Sequence, residues 1–176
     1  MVWYCLDAPG TANLKLTDTL DIGDEKSEKA HRCAVDGLTW SGTTTSCYDR
    51  YEQQPPGATT TDTGRAFNKT SKFVVKLDPA NAGVKIRRRA NRHLANVQKA
   101  KVYVDGRIIP DALWYVCDLP VPDEVAFRDS DYEIPAKYTK GKTLITVKLE
   151  HIEAQPANTN NEYHYWGYCY GRTSLK

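Results

Sequence analysis

The stretch Lys72-Phe73-Val74-Val75-Lys76-Leu77, Asp78-Pro79-Ala80-Asn81-Ala82-Gly83, Val84-Lys85-Ile86-Arg87 decides the fold class. Phe73, Val75 and Leu77 recur at every second position. Val84 and Ile86 do the same, against Lys85 and Arg87. Successive side chains of a strand face opposite sides of a sheet, so period two marks a half-buried antiparallel strand. The Pro/Asn/Gly-rich segment between the runs supplies a turn. Outward from these two strands the same alternation recurs. Ala100, Val102 and Val104 alternate with Lys99, Lys101 and Tyr103, and Ile145, Val147 and Leu149 alternate with Thr146, Lys148 and Glu150. Asp105-Gly106 is a hairpin signal, and Thr139-Lys140-Gly141-Lys142 is another turn. Further strands are expected near 14–20, 33–40, 43–49, 108–117, 125–134 and 162–170. Short helical turns are expected at Asp24–Ala30 and Ala136–Tyr138. The pattern predicts an all-β protein: one antiparallel β-sandwich of jelly-roll type, about nine strands, over residues 1–176. A long surface loop is expected near 50–65, where Gln, Pro, Gly and Thr crowd together.

Composition narrows the function. With 176 residues there is enough chain for one cored domain. The net charge of +2 gives no global field toward nucleic acid or an anionic membrane, and no run approaches the ~20 apolar residues of a membrane span. Neither nucleic-acid binding nor membrane insertion is expected. Residues 1–7 lack the basic and apolar regions of a signal peptide, although Met1 could follow a removed leader, so both secreted and cytoplasmic locations stay open. Five cysteines, Cys5, Cys33, Cys47, Cys117 and Cys169, include no CxxC pair. One or two disulfides would fit an exported protein, with Cys33–Cys47 one candidate among several. Asn68-Lys69-Thr70 is a glycosylation sequon, informative only on a secretory route.

Four tryptophans and eleven tyrosines against three phenylalanines are the strongest functional signal. Sugar rings present C–H patches that stack on flat aromatic surfaces, and sugar hydroxyls need fixed polar partners. In Glu162-Tyr163-His164-Tyr165-Trp166-Gly167-Tyr168-Cys169-Tyr170, alternation sets Tyr163 and Tyr165 on one face and His164, Trp166, Tyr168 and Tyr170 on the other. For any single ring, core packing or an oligomer interface is the commoner role. Trp114-Tyr115 is a second such pair. In Arg87-Arg88-Arg89, Arg88 takes the side of Val84 and Ile86, so it needs either a carboxylate in the core or a polar pocket with Asp129 or Asp131. The candidate ligand-binding residues are therefore Trp114, Tyr115, Arg88, Asp129, Asp131 and Trp166. Asp18, Asp21, Asp24 and Glu28 could gather calcium, although a turn capped by Asp24 is the more frequent outcome of such a segment.

The order of motifs resembles the C-terminal β-sandwich module of the DUF2961 proteins, relatives of glycoside hydrolase family 172. The residues that carry this are Leu16-Thr17-Asp18 with Leu20 to Asp24 and Ser27 to His31, Gly37 with Trp40-Ser41-Gly42, and Leu77 to Asn81 with Gly83 to Arg88. It continues through Gln98 to Ala100 with Val102 to Gly106, Trp114-Tyr115, Arg128-Asp129 with Tyr132 to Ala136, Thr139 to Lys142, and Glu162-Tyr163 with Tyr165-Trp166. The resemblance implies a jelly roll that larger relatives attach to a separate catalytic core, which this chain is too short to hold. A free-standing module of that kind implies a lectin or carbohydrate-binding module, some of which hold calcium. Two other readings stand beside it. One is a small glycosidase acting on furanoside sugars through Asp129, Asp131 or Glu133, which alternation places on one face. The other is a structural jelly roll whose aromatic face makes a homo-oligomer.

Overall fold

The computed structural model describes residues 13–48, 59–92, 97–116, 125–153 and 158–171. Ten strands and two short helices follow in the order β1 (Leu14–Asp21), α1 (Glu25–Ala30), β2 (Ala34–Tyr48), β3 (Thr59–Lys76), β4 (Gly83–Asn91), β5 (Gln98–Val104), β6 (Arg107–Val116), β7 (Val125–Pro135), α2 (Ala136–Thr139), β8 (Leu144–His151), β9 (Asn160–Glu162) and β10 (His164–Tyr170). Hydrogen-bonded neighbours run β1-β10-β4-β7-β2-β3-β8-β5-β6, with β9 on β3. All pairings are antiparallel except the short contact of β2 with β7.

The path closes on itself as a sandwich. Phe73 of β3 meets Tyr165 of β10 at 4.3 Å between ring centroids, and Trp114 of β6 stacks on Tyr132 of β7 at 5.4 Å. The layer β1-β10-β4-β7 therefore faces the layer β3-β8-β5-β6, and the long β2–β3 hairpin joins them. The inward residues are those alternation selects: Phe73, Val75, Leu77, Val84, Ile86, Ala100, Val102, Val104, Ile145, Val147 and Leu149 form one buried cluster. Tyr163, Phe127 and Trp40 make a second, smaller one under the β2–β3 hairpin. Gly167 lies where the layers approach closely: a Cβ there would stand 2.7 Å from Val75 Cγ1.

The turns and helices match their sequence signals. Asp105 and Gly106 have φ of 49° and 78°, as a tight hairpin of this type requires. Asp24 caps α1 by accepting from the Lys26 N–H.

Three expectations need correction. The runs 33–40 and 43–49 are one fifteen-residue strand, β2, because Ser41-Gly42 continues the ladder opposite Arg65 and Gly64. The predicted loop ends early. Residues 59–65 are strand, zipped to β2 by Thr43–Thr63 and Thr45–Thr61 hydroxyl bonds of 3.0 and 2.7 Å. The rest of that loop, 50–58, lies outside the described residues. Cys33 and Cys47 are free thiols, as is Cys169. Cys33 immediately precedes β2 and Cys47 sits near its far end, roughly 45 Å away along an extended strand, far beyond the reach of a disulfide. Burial pushes the Cys33 thiol up to about 12. Cys5 and Cys117 lie outside the described residues.

Candidate functional site

The outward faces of β1, β10, β4 and β7 form one continuous surface, and the register fixes its ranks. Asp21, His164, Arg89 and Asp129 stand side by side across the four strands. Thr19, Trp166, Arg87 and Asp131 make the next rank, and Leu16, Tyr168, Lys85 and Glu133 the third. Tyr170 continues the aromatic column beside Leu14. Down β10 the column reads His164, Trp166, Tyr168, Tyr170, all partly exposed, while Tyr165 and Cys169 point inward. Alternation alone sets this division, as the sequence predicts.

Ion pairs flank the column. Arg87 forks onto Asp131 through Nε at 2.7 Å and Nη2 at 3.0 Å. The Lys85 ammonium lies 3.3 Å from Asp131 and 3.5 Å from Glu133. Arg89 donates to Asp62 of β3 at 2.8 Å and to Asp129 at 3.4 Å, and its guanidinium lies 5.0 Å from the Trp166 ring centroid. His164 packs on Trp166 at 4.3 Å and approaches Asp21 at 3.6 Å. Tyr170 donates its hydroxyl to Glu133 at 2.8 Å.

Protonation follows from these contacts. Burial works to raise the Asp131 carboxyl, but the Arg87 hydrogen bonds and charge, helped by Lys85, outweigh it and hold it low. Burial wins at Asp129, which is raised despite Arg89 and Arg87. Burial also pushes Asp62 up to about 6, with the Asp21 and Asp129 charges adding to it, against the pull of the hydrogen bond from the Thr63 N–H. Burial, followed by the hydrogen bond to Glu133, pushes the Tyr170 phenol up to about 12, so it stays a donor.

Burial lowers the His164 pKa. Asp21 opposes this and the Arg89 charge reinforces it. On acidification the unfolded chain takes up a proton near its ordinary 6.5 while the folded imidazole stays neutral. Stability carried by this group is therefore complete above about 6.5 and declines as pH falls toward the lower folded value. Thermal melts at pH 7.5 and 5.5 should show a smaller loss on acidification for His164→Gln than for the wild type. Equal losses would remove His164 as the titrating group.

The structure gathers only part of the sequence-predicted set here. Trp166, Asp129 and Asp131 share the face. Trp114 does not: it is 1% exposed, wedged between Tyr132 and Tyr165, with its Nε1 donating to Ser130. Arg88 is fully buried with its guanidinium 5.0 Å from the Trp114 ring centroid, and none of its three nitrogens has a hydrogen-bond partner. Its expected carboxylates belong to its neighbours, Asp131 to Arg87 and Asp129 to Arg89. Neither Trp114 nor Arg88 can meet a surface ligand. Tyr115 is 41% exposed but alternates with inward Trp114 on β6, so it stands on the outer face of the other layer, with the Lys99 ammonium over its ring.

The four carboxylates considered for calcium each serve a different partner. Asp18 accepts from the Lys76 N–H and contacts His31, Asp21 faces His164, Asp24 caps α1, and Glu28 accepts from the Gly23 N–H and binds Arg65. They are not brought together, and no other group of three potential metal ligands is assembled among the described residues.

Lys85, Arg87, Arg89, Tyr168, Tyr170 and Asp62 complete the face, though the sequence reading did not select them as ligand residues. The alternation signal contained the first five. Asp62 was hidden inside the predicted loop. A hollow of about 430 Å³ lies at the end of the aromatic column, lined by residues that include Asn13, Leu14, Asp78, Asn81 and Tyr170.

No family model matches the chain, and no curated protein matches it. Among solved structures it is similar to the plant receptor-like kinase ANX2, with 12% identity and a TM-score of 0.54 over 91% of this chain and 49% of that one. The ANX1 ectodomain from Arabidopsis thaliana gives 12% identity and 0.52, over 91% and 50%. The chain spans about half of each. A family 35 carbohydrate binding module from Clostridium thermocellum aligns over 86% of this chain and 98% of that one, at 8% identity and a TM-score of 0.48. The ANX likenesses are likenesses of fold. They agree with the jelly-roll β-sandwich and assign no activity.

Proposed function

We propose that this protein is a non-catalytic carbohydrate-binding protein, a lectin or a free-standing binding module, and that it binds glycan on the outer face of β10 and its neighbours. The observation that carries this reading is the column Trp166–Tyr168–Tyr170 set among hydrogen-bonding charged side chains whose positions are already fixed by ion pairs. Rings supply surface for sugar C–H patches, and fixed carboxylates and guanidinium groups supply partners for hydroxyls at little ordering cost. The resemblance of the motif order to the DUF2961 sandwich module, read from the sequence alone, points the same way.

The glycosidase reading has less support. Asp131 is clamped by Arg87, Asp129 is bound to Arg89, and Glu133 accepts from Tyr170. All three stand on the outer face of one strand, and among the described residues none is set with a second carboxylate on the opposite side of a cleft, as an acid and its partner flanking a scissile bond would be.

A glycan array, run with and without a calcium chelator, tests the proposal. Trp166→Ala should weaken the strongest array signal at least about tenfold, the equivalent of ~1.4 kcal/mol. Tyr115→Ala, on the opposite layer, should leave it unchanged. Absence of any signal on the array, or an unchanged signal in Trp166→Ala, would remove this face from the function.

A further inference from the structure

From the charge balance and shape of the same face we infer the class of glycan: an uncharged, extended chain of several units lying along β10, in preference to an acidic sugar or a single terminal residue. The inference rests on the carbohydrate-binding reading and adds ligand charge and ligand length to it.

Charge comes first. Among the described residues the face carries three cations, Lys85, Arg87 and Arg89, and every one is held by carboxylate: Lys85 by Asp131 and Glu133, Arg87 by Asp131, Arg89 by Asp62 and Asp129. With Asp21, five carboxylates face three cations, and His164 is kept neutral at pH 7 by its burial. A uronate or sulfate arriving here would meet a surplus of negative charge and would have to displace a carboxylate to reach a guanidinium. A neutral sugar meets the same groups as ready acceptors and donors.

Length comes second. Trp166, Tyr168 and Tyr170 sit at alternate positions of one strand, so the column is about 13 Å long, the reach of a short oligosaccharide and more than a single ring needs. Among the described residues the column lies on the outer face of the sheet with its rings partly exposed, and the hollow of about 430 Å³ begins only at its Tyr170 end. Contact with several rings therefore requires a ligand extended along the strand. Leu14 and Leu16, both exposed, border the column on β1 and add apolar surface alongside it.

Calorimetry of the whole chain with cello-, xylo- and manno-oligosaccharides of one to six units, and with oligogalacturonides of the same lengths, tests both statements. The expected result is affinity for at least one neutral series that rises at least tenfold from one unit to four and then levels, with oligogalacturonides binding at least tenfold more weakly. Tyr168→Ala and Trp166→Ala should flatten the length dependence, with circular dichroism confirming that each variant is folded. Equal affinity for one unit and six would place recognition in the hollow and overturn the extended-chain inference, as would preference for the acidic series; sugar binding itself would survive either result. If no glycan binds in any series, the carbohydrate-binding reading falls and takes this inference with it.

Discussion

Glu162→Gln is expected to lower the unfolding free energy by about 3–5 kcal/mol, the cost of breaking a buried ion pair from one side. Glu162 is completely buried on β9 and accepts from Arg65 Nε at 2.7 Å, from Ser71 Oγ at 2.8 Å and from the Tyr165 hydroxyl. Arg65 spends its Nη1 on Glu28 at 3.0 Å, and Glu28 is partly in solvent. Glutamine keeps the shape of Glu162 and loses its charge. The Arg65 guanidinium would then stand in the core with only a partly exposed counter-charge, and an amide N–H turned toward it would face a group that has no acceptor. Tyr165 belongs to the same network. Burial and the Glu162 charge raise its phenol well above the ordinary range, so it stays protonated and donates to the carboxylate, a charge-assisted bond that glutamine would reduce to a neutral one. Urea denaturation should show the midpoint fall at an unchanged slope, and the Tm should drop on the order of 10 °C. Glu28→Gln, at the wetter end of the chain of charges, should cost clearly less. A Glu162→Gln protein within 1 kcal/mol of the wild type would mean that the core tolerates Arg65 without its partner.

What could be read from the sequence divides along physical lines. Period two is a local property, so Phe73-Val74-Val75 or His164-Tyr165-Trp166 announces both the strand and the face of each side chain before any partner strand is known. The sandwich, the Asp24 cap and the Asp105-Gly106 turn were legible for this reason. Pairing across strands is not local. The rule that a buried arginine needs a carboxylate is sound as an average, but the carboxylates nearest Arg88 in register belong to the outward arginines on either side, and only the assembled interior shows Trp114 beneath its guanidinium. Trp114 and Tyr115 read as one aromatic pair in sequence. Their neighbouring positions force them to opposite faces, and only packing decides which of the two is inside. Asp62 was lost because Thr, Asp and Gly at 59–64 carry loop composition, whereas threonine is β-branched and these threonines zip the β2–β3 hairpin through their hydroxyls. The acidic segment from Asp18 to Glu28 looked like a ligand set because its residues are close in sequence, and β1 followed by α1 turns their carboxylates toward different partners.

Trp114→Ala should also cost about 3–5 kcal/mol, the usual penalty for emptying a core site of this size. The indole stacks on Tyr132, meets Tyr165 edge-on at 6.1 Å and ties its Nε1 to Ser130 at 3.1 Å. It also lies beneath the Arg88 guanidinium, whose nitrogens have no hydrogen-bond partner among the described residues. The two residues should therefore be coupled. Arg88→Met keeps much of the side-chain volume and removes a buried charge that no carboxylate hydrogen-bonds among the described residues, so alone it should be neutral or should stabilise the fold by up to about 4 kcal/mol. Combined with Trp114→Ala it should recover part of the loss, because the cavity would no longer hold a cation stripped of its ring. A double-mutant cycle in urea separates the terms. A guanidinium held only by the indole predicts a coupling energy of at least about 1 kcal/mol and a double variant more stable than Trp114→Ala. If Arg88→Met instead costs 3 kcal/mol or more by itself, the charge has a compensating partner in solution, and the buried cation is a contributor to stability that the indole merely covers.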